Sequence, residues 1–121
     1  SIIQVSDTAE LNRSLVATGF PYDKRESSIN NLDYFQKFAL RVQGIRRTGS
    51  AALDLAYVAT GRLDGYWELK LSPWDVAAGT LLVLESGGHV SDFSGENDYV
   101  YSGEVVASNG RIQLSMLTIL A

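Results

Sequence analysis

The chain has 121 residues, 45% of them apolar and 20% charged, with a formal net charge of −4. That is enough for one domain with a real core, and it lacks the basic face a nucleic-acid partner would require. The absence of cysteine excludes a disulfide framework, a thiolate metal site and a cysteine nucleophile, and a single histidine, His89, excludes a multi-histidine zinc site.

Residues 1–13 carry little pattern. Ser14-Leu15-Val16-Ala17-Thr18 reads as a short buried strand closed by Gly19-Phe20-Pro21. A polar loop over 22–31 leads into a helix over about 31–43. Leu32, Phe35, Phe38/Ala39 and Val42 form its apolar face, Asp33, Lys37 and Arg41 form a solvated ladder, and Gly44 is expected to stop it. Ile45 to Thr48 suits a strand, and Gly49-Ser50-Ala51-Ala52 opens a helix over about 50–60. That helix is apolar nearly all round and expected to be buried, with Gly61 ending it. Asp64 to Leu69 reads as a strand that carries the carboxylate Glu68. Ser72 fits an N-cap, Pro73 the first helical position and Asp75 the first turn, where negative charge suits the helix dipole. Gly87 or Gly88 can take the left-handed position that closes this helix. Strands at about 89–93 and 104–107 follow, with turn chemistry at Ser94 to Asp98 and a last helix from near Arg111.

Strands alternating with helices predict a single α/β domain over residues 1–121, a layered, mostly parallel sheet with helices packed on it. Ligands gather where such strands end and helices begin. Three junctions qualify: Thr48 to Ala51, Glu68 to Asp75, and Ser108 to Gly110. Gly49, Ser50 and Ala51 offer backbone N–H groups at a helix start, suited either to a ligand or simply to close packing. Glu68 and Asp75, seven residues apart, either share one cleft and suit Mg²⁺, or are two surface acids. Asp75 alone reads first as a capping-box residue, and otherwise as a residue that points into a cleft and binds a metal ion or substrate. Lys70 stands between them, available to a phosphate or to solvent. Asp64 is read as a turn residue with Gly65, Glu85 as a weak candidate, His89 as structural, and Ser50 as a poor nucleophile with no base nearby. No signal-peptide pattern and no apolar run of about 18 residues occurs, so a soluble, cytoplasmic protein without a membrane partner is expected.

The run Trp74-Asp75-Val76-Ala77-Ala78-Gly79, continuing to Glu85-Ser86-Gly87-Gly88, resembles a signature of the inositol monophosphatase family, Mg²⁺-dependent and lithium-sensitive phosphatases. Residues 44–68, the Gly-Phe-Pro-Tyr-Asp segment and Ala107-Ser108-Asn109 are similar to it as well, so the resemblance covers about residues 14–112. Bacterial and plant-type inositol phosphatases and the dual inositol/fructose-bisphosphate phosphatases are the nearest in kind. The resemblance implies that Asp75 is a catalytic metal ligand that also touches substrate. It implies that Glu68 accepts a substrate hydroxyl and that Gly49, Ser50 and Ala51 line the ring. Ser86 stands where Ala is usual. The family's Glu-Glu region and Asp-Pro-x-Asp-Gly-Thr motif do not occur in these residues, so the chain is expected to correspond to the C-terminal half of the sugar-phosphatase fold and to be inactive alone. The expected function is hydrolysis of inositol monophosphate or a related phosphate monoester, with Mg²⁺, as a homo-oligomer (dimer) or in association with the N-terminal half. The alternative is a non-catalytic half-domain that binds a polyol phosphate or self-associates.

Overall fold

The strands are short apolar runs flanked by helical stretches, and in the computed structural model, which describes residues 3–20 and 31–121, they assemble into one sheet. In chain order the elements are β1 (Leu15–Thr18), α1 (Leu32–Ala39), β2 (Gly44–Arg46), α2 (Ala51–Ala59) and β3 (Gly65–Glu68). They continue with α3 (Pro73–Glu85), β4 (His89–Ser91), α4 (Tyr99–Ser102), β5 (Val105–Ser108) and α5 (Gln113–Leu120). The sheet order is β2-β1-β3-β5-β4. β1 pairs parallel with β2 and β3, while β5 pairs antiparallel with both β3 and β4. All strands but β5 therefore run one way, which is the mostly parallel α/β architecture the sequence predicts.

Successive strand residues point to opposite faces, and the sheet uses both. Ala17, Tyr66, Val90, Val105 and Ala107 pack with Leu55 and Val58 of α2 and Val76 and Val83 of α3. Val16, Trp67 and Val106 pack with Phe38 of α1 and Ile112, Met116 and Ile119 around α5. Phe38 stacks on Trp67 with ring centroids 3.8 Å apart. The indole N–H of Trp67 donates to Asn31 Oδ1 at 2.7 Å, and Asn31 Nδ2 donates to Thr18 Oγ1 at 2.9 Å. A buried polar network thus ties the start of α1 to the ends of β1 and β3. The helices α2 and α3 approach closely at Gly79, where a Cβ would lie 2.6 Å from Leu55 Cδ1.

Several sequence expectations are corrected. α1 ends at Ala39 with Leu40 as its cap, and Gly44 opens β2 instead of stopping the helix. The reason is that Gln43 N–H already donates to Ser14 O at 3.0 Å, so the chain has joined the sheet. On α1 Phe38 is buried, but Leu32 is 52% exposed and Ala39 is exposed as well. α2 is not apolar and buried all round: Leu53 is 41% exposed, whereas the charged Asp54 is only 1% exposed. A 3-10 turn at Leu11–Arg13 and the short α4 had no signal in the apolar pattern. The turn after β4 is as expected, with Asp92 Oδ1 accepting from the N–H groups of Ser94 and Glu96 at 2.9 and 2.8 Å. Gly87 takes the left-handed position after α3, with φ of 92°. Except for Asn31, the polar stretch 22–31 lies outside the described residues, as does Pro21. Among the described residues no helix is long and apolar enough to cross a membrane.

Candidate active site

Because β1 and β3 are parallel neighbours, with Thr18 beside Trp67, their carboxyl ends deliver Gly19 and Glu68 to the same edge of the sheet. The amino ends of α2 and α3 complete a cleft of about 800 Å³ there. Gly49, Ser50, Ala51, Glu68 and Asp75, the five residues singled out from the sequence, all line it, together with Asp54 and Lys70. The third candidate junction does not join them. β5 is antiparallel, so Ser108 pairs with Gly65 at the opposite end of β3. Ser108 and Asn109 instead hold the chain: Asn109 Nδ2 donates to Thr8 O at 2.7 Å, and Ser108 Oγ donates to Gln113 Oε1 at 2.6 Å.

The two readings of Asp75 are compatible. Ser72 N–H and Ser72 Oγ both donate to Asp75 Oδ2, at 3.2 and 2.5 Å, and Pro73 occupies the first helical position. Asp75 Oδ1 has no hydrogen-bond partner among the described residues. The cap bonds engage only Oδ2 of a carboxylate that lines the cleft.

Ser50 is the N-cap of α2, its Oγ accepting from Leu53 N–H at 3.2 Å. The expectation of three open backbone N–H groups is narrowed, because Ser50 N–H donates to Thr48 Oγ1 at 3.2 Å. The N–H groups of Gly49 and Ala51 have no partner among the described residues. Gly49 has φ of 85° and open space around its Cβ position, so a ligand can approach its backbone without obstruction. Ser50 Oγ is engaged in the cap and His89 lies exposed on the edge strand β4, which leaves no nucleophile–base pair of Ser50 and His89 among the described residues.

Sequence reasoning missed Asp54. Thr48 Oγ1 donates to its Oδ1 at 2.8 Å, and burial pushes its carboxyl from 3.8 up to about 6 against the lowering effect of that bond. The available signal was its isolation: Asp54 is the sole charged residue between Gly49 and Gly61. Glu68 is also raised, first by burial and further by the charges of Asp54 and Asp75, while the hydrogen bond from Tyr66 opposes the shift. Tyr66 OH donates to Glu68 Oε1 at 2.5 Å, and burial followed by the Glu68 charge raises the phenol. At the cleft mouth Arg47 lies 4.4 Å over the Phe20 ring, and Lys70 adopts a left-handed backbone with φ of 61°. Asp64 does more than shape a turn: its carboxylate accepts from Ser6 Oγ at 2.6 Å and Leu15 N–H at 2.7 Å, fastening the N-terminal stretch to β1. Glu85 is exposed on α3 away from the cleft. Among the described residues no three carboxylate or histidine groups lie close enough together to hold a metal unaided.

The fold is an α/β protein with an acid-lined cleft at the carboxyl ends of parallel strands, the place where ligands gather in such sheets. The inositol monophosphatase family model matches residues 1–120, and the chain belongs to that family. It is similar to a putative Nus factor SuhB of Neisseria meningitidis serogroup B, 46% identical over 119 residues that make up 98% of this chain and 46% of the relative. The Nus factor SuhB of Escherichia coli K12 is 47% identical over 112 residues, 93% of this chain and 42% of the relative. Among solved structures, the inositol monophosphatase from Anabaena (Nostoc) matches with a TM-score of 0.95 and 49% identity, over 98% of this chain and 47% of that one. The chain thus spans a little under half the length of the relatives it matches.

Proposed function

We propose that residues 1–121 form one α/β domain of a Mg²⁺-dependent phosphomonoesterase acting on inositol monophosphate or a related sugar phosphate. In this reading the chain supplies the ring-binding wall and one metal ligand, Asp75. The observation that carries it is the meeting of Asp75, Glu68 and the Gly49–Ala51 backbone in one cleft. Family membership favours it over a non-catalytic binding module.

The donor chemistry fits Mg²⁺ in part. Mg²⁺ seeks about six oxygen ligands, and Asp75 offers a carboxylate whose position is set by Ser72 and whose Oδ1 has no partner among the described residues. The crowding of Asp54, Glu68 and Asp75, which adds to the rise that burial gives Glu68, also favours a cation nearby. The remaining oxygens must come from water, from substrate phosphate and from the rest of the protein. Bound Mg²⁺ supplies Lewis-acid polarisation of the phosphate and a water of lowered pKa.

The chain's own residues bind and orient. Glu68 accepts a hydroxyl proton of the substrate ring. The N–H groups of Gly49 and Ala51, at the positive end of α2, meet ring oxygens. Asp75 offers one oxygen as a ligand while its other oxygen remains in the cap. The working protein is a homodimer, or this domain joined to the family's N-terminal half, in the cytoplasm.

Asp75→Asn in the complete protein tests this. Phosphate release from inositol 1-phosphate should fall by more than about a hundredfold, with a weaker Mg²⁺ requirement curve. Near wild-type turnover would refute the assignment. The names of the SuhB relatives support a second property of the complete protein, a Nus-factor role. Complementation of an Escherichia coli strain lacking SuhB, by both wild type and Asp75→Asn, separates that role from catalysis.

A further inference from the structure

Tyr66 and Glu68 sit two residues apart on β3, so their side chains share one face of the sheet. Tyr66 is completely buried, packed with Leu55 and Val76 beneath α2 and α3. Its hydroxyl donates to Oε1 of Glu68, which lines the cleft, at 2.5 Å. The carboxylate is pressed from the other side by the backbone. A Cβ at Gly19 would lie 2.6 Å from Glu68 Oε1, 2.8 Å from its Cδ and 3.0 Å from Oε2, so glycine lets the carboxylate lie against the backbone.

We infer that Tyr66 is a positioning residue that fixes the Glu68 carboxylate, so that Oε2 is presented to the cleft as an acceptor for a hydroxyl of a polyol substrate. The inference rests on the proposed reading of Glu68 as the hydroxyl acceptor and adds the residue that makes it selective. An ionised carboxylate has about four lone-pair sites and two rotatable orientations. The phenol takes one site, and with Gly19 it holds the group in one orientation. Its donated proton also favours the charged form, against the larger opposing effect of burial and the repulsion of Asp54 and Asp75. A ligand without a hydroxyl at this position gains nothing from the arrangement. Selectivity of this kind is large where a buried polar group would otherwise go unpaired.

A buried tyrosine needs a hydrogen-bond acceptor whatever its role, so loss of stability alone does not test the idea. Tyr66→Phe, Glu68→Ala and the double variant of the complete protein are compared on inositol 1-phosphate and on p-nitrophenyl phosphate, which has no ring hydroxyl. Tyr66→Phe should raise KM for inositol 1-phosphate about tenfold, with kcat changing less than about twofold, because one hydrogen bond to a charged group is lost. Its KM penalty should be several times smaller for p-nitrophenyl phosphate. On the Glu68→Ala background the same change should move KM less than about twofold, because the two residues act as a unit. Equal penalties on both backgrounds, or on both substrates, would overturn the inference and leave Tyr66 a packing residue. If the wild-type protein hydrolyses neither compound, the phosphatase reading fails first and the inference with it. If it hydrolyses both and Tyr66→Phe is unchanged, only the positioning role is lost.

Discussion

Replacing Asp54 by Asn isolates the effect of one carboxylate folded into the wall of the cleft. Asp54 is 1% exposed, and its pKa rises from 3.8 to about 6 with burial as the main cause. At about 1.36 kcal/mol per pH unit, that rise corresponds to roughly 3 kcal/mol. The sign follows from the direction. The folded state holds this proton more tightly than the unfolded chain, so the stabilising contribution is complete below 3.8 and lost as pH rises through about 6. Integrating the linkage relation places about 2 kcal/mol of that loss between about pH 4.5 and about pH 8. Asn cannot ionise, yet its carbonyl can still accept from Thr48 Oγ1. Any penalty for its amide is a constant offset. The difference in unfolding free energy between variant and wild type should therefore shift in favour of Asp54→Asn by about 2 kcal/mol across that range. The secondary effect on Glu68, which loses a repulsive neighbour, acts in the same direction. Urea titrations in metal-free buffer at several pH values measure it. A difference that does not change with pH would show that Asp54 ionises freely and that the burial argument is wrong.

Glu68→Gln should raise KM for inositol 1-phosphate and remove the acid-side dependence of that KM. Wild-type KM should rise as pH falls toward the elevated Glu68 pKa, and a pH profile with the same acid limb in both proteins would contradict this. Gly79→Ala should destabilise the fold by about 1–3 kcal/mol, since its Cβ would press within 2.6 Å of Leu55 Cδ1 where α3 packs on α2. A melting temperature equal to wild type would mean that the two helices separate freely.

The fold was legible where residues obey one period over one element. Pro73 to Glu85 announces itself by cap, proline and glycine stop, and the structure uses each of these signals. α1 was misjudged at its end because a backbone bond from Gln43 to Ser14, a residue far off in the chain, decides where the helix yields to the sheet. Nothing in residues 40–44 alone records that competition. The Ser108–Gly110 junction was misplaced for a related reason. Strand direction is a property of the whole sheet, and one reversed strand carries a plausible-looking turn to the wrong edge. Asp54 was overlooked because an apolar run invites the reader to average over its exceptions. Tyr66 is core, and its hydroxyl gains meaning only from the residue two places on.

Asp75 shows why cap and ligand should not be weighed as rivals. A carboxylate in the first turn of a helix that follows a parallel strand already stands at the end of the sheet where ligands collect. The cap bonds from Ser72 then hold its side chain in one orientation before any ligand arrives. Both bonds converge on Oδ2, so satisfying the helix start does not exhaust the carboxylate. The fixed geometry lowers the entropy that a ligand must remove. On the proposed function, the commonest structural use of this residue type is therefore what prepares it for chemistry. Ser72→Ala should accordingly weaken Mg²⁺ activation before it measurably lowers stability, because it removes the shorter of the two bonds to Oδ2 and frees the side chain to rotate. A Mg²⁺ activation curve identical to wild type would show that the helix start, and not Ser72, sets the position of Asp75.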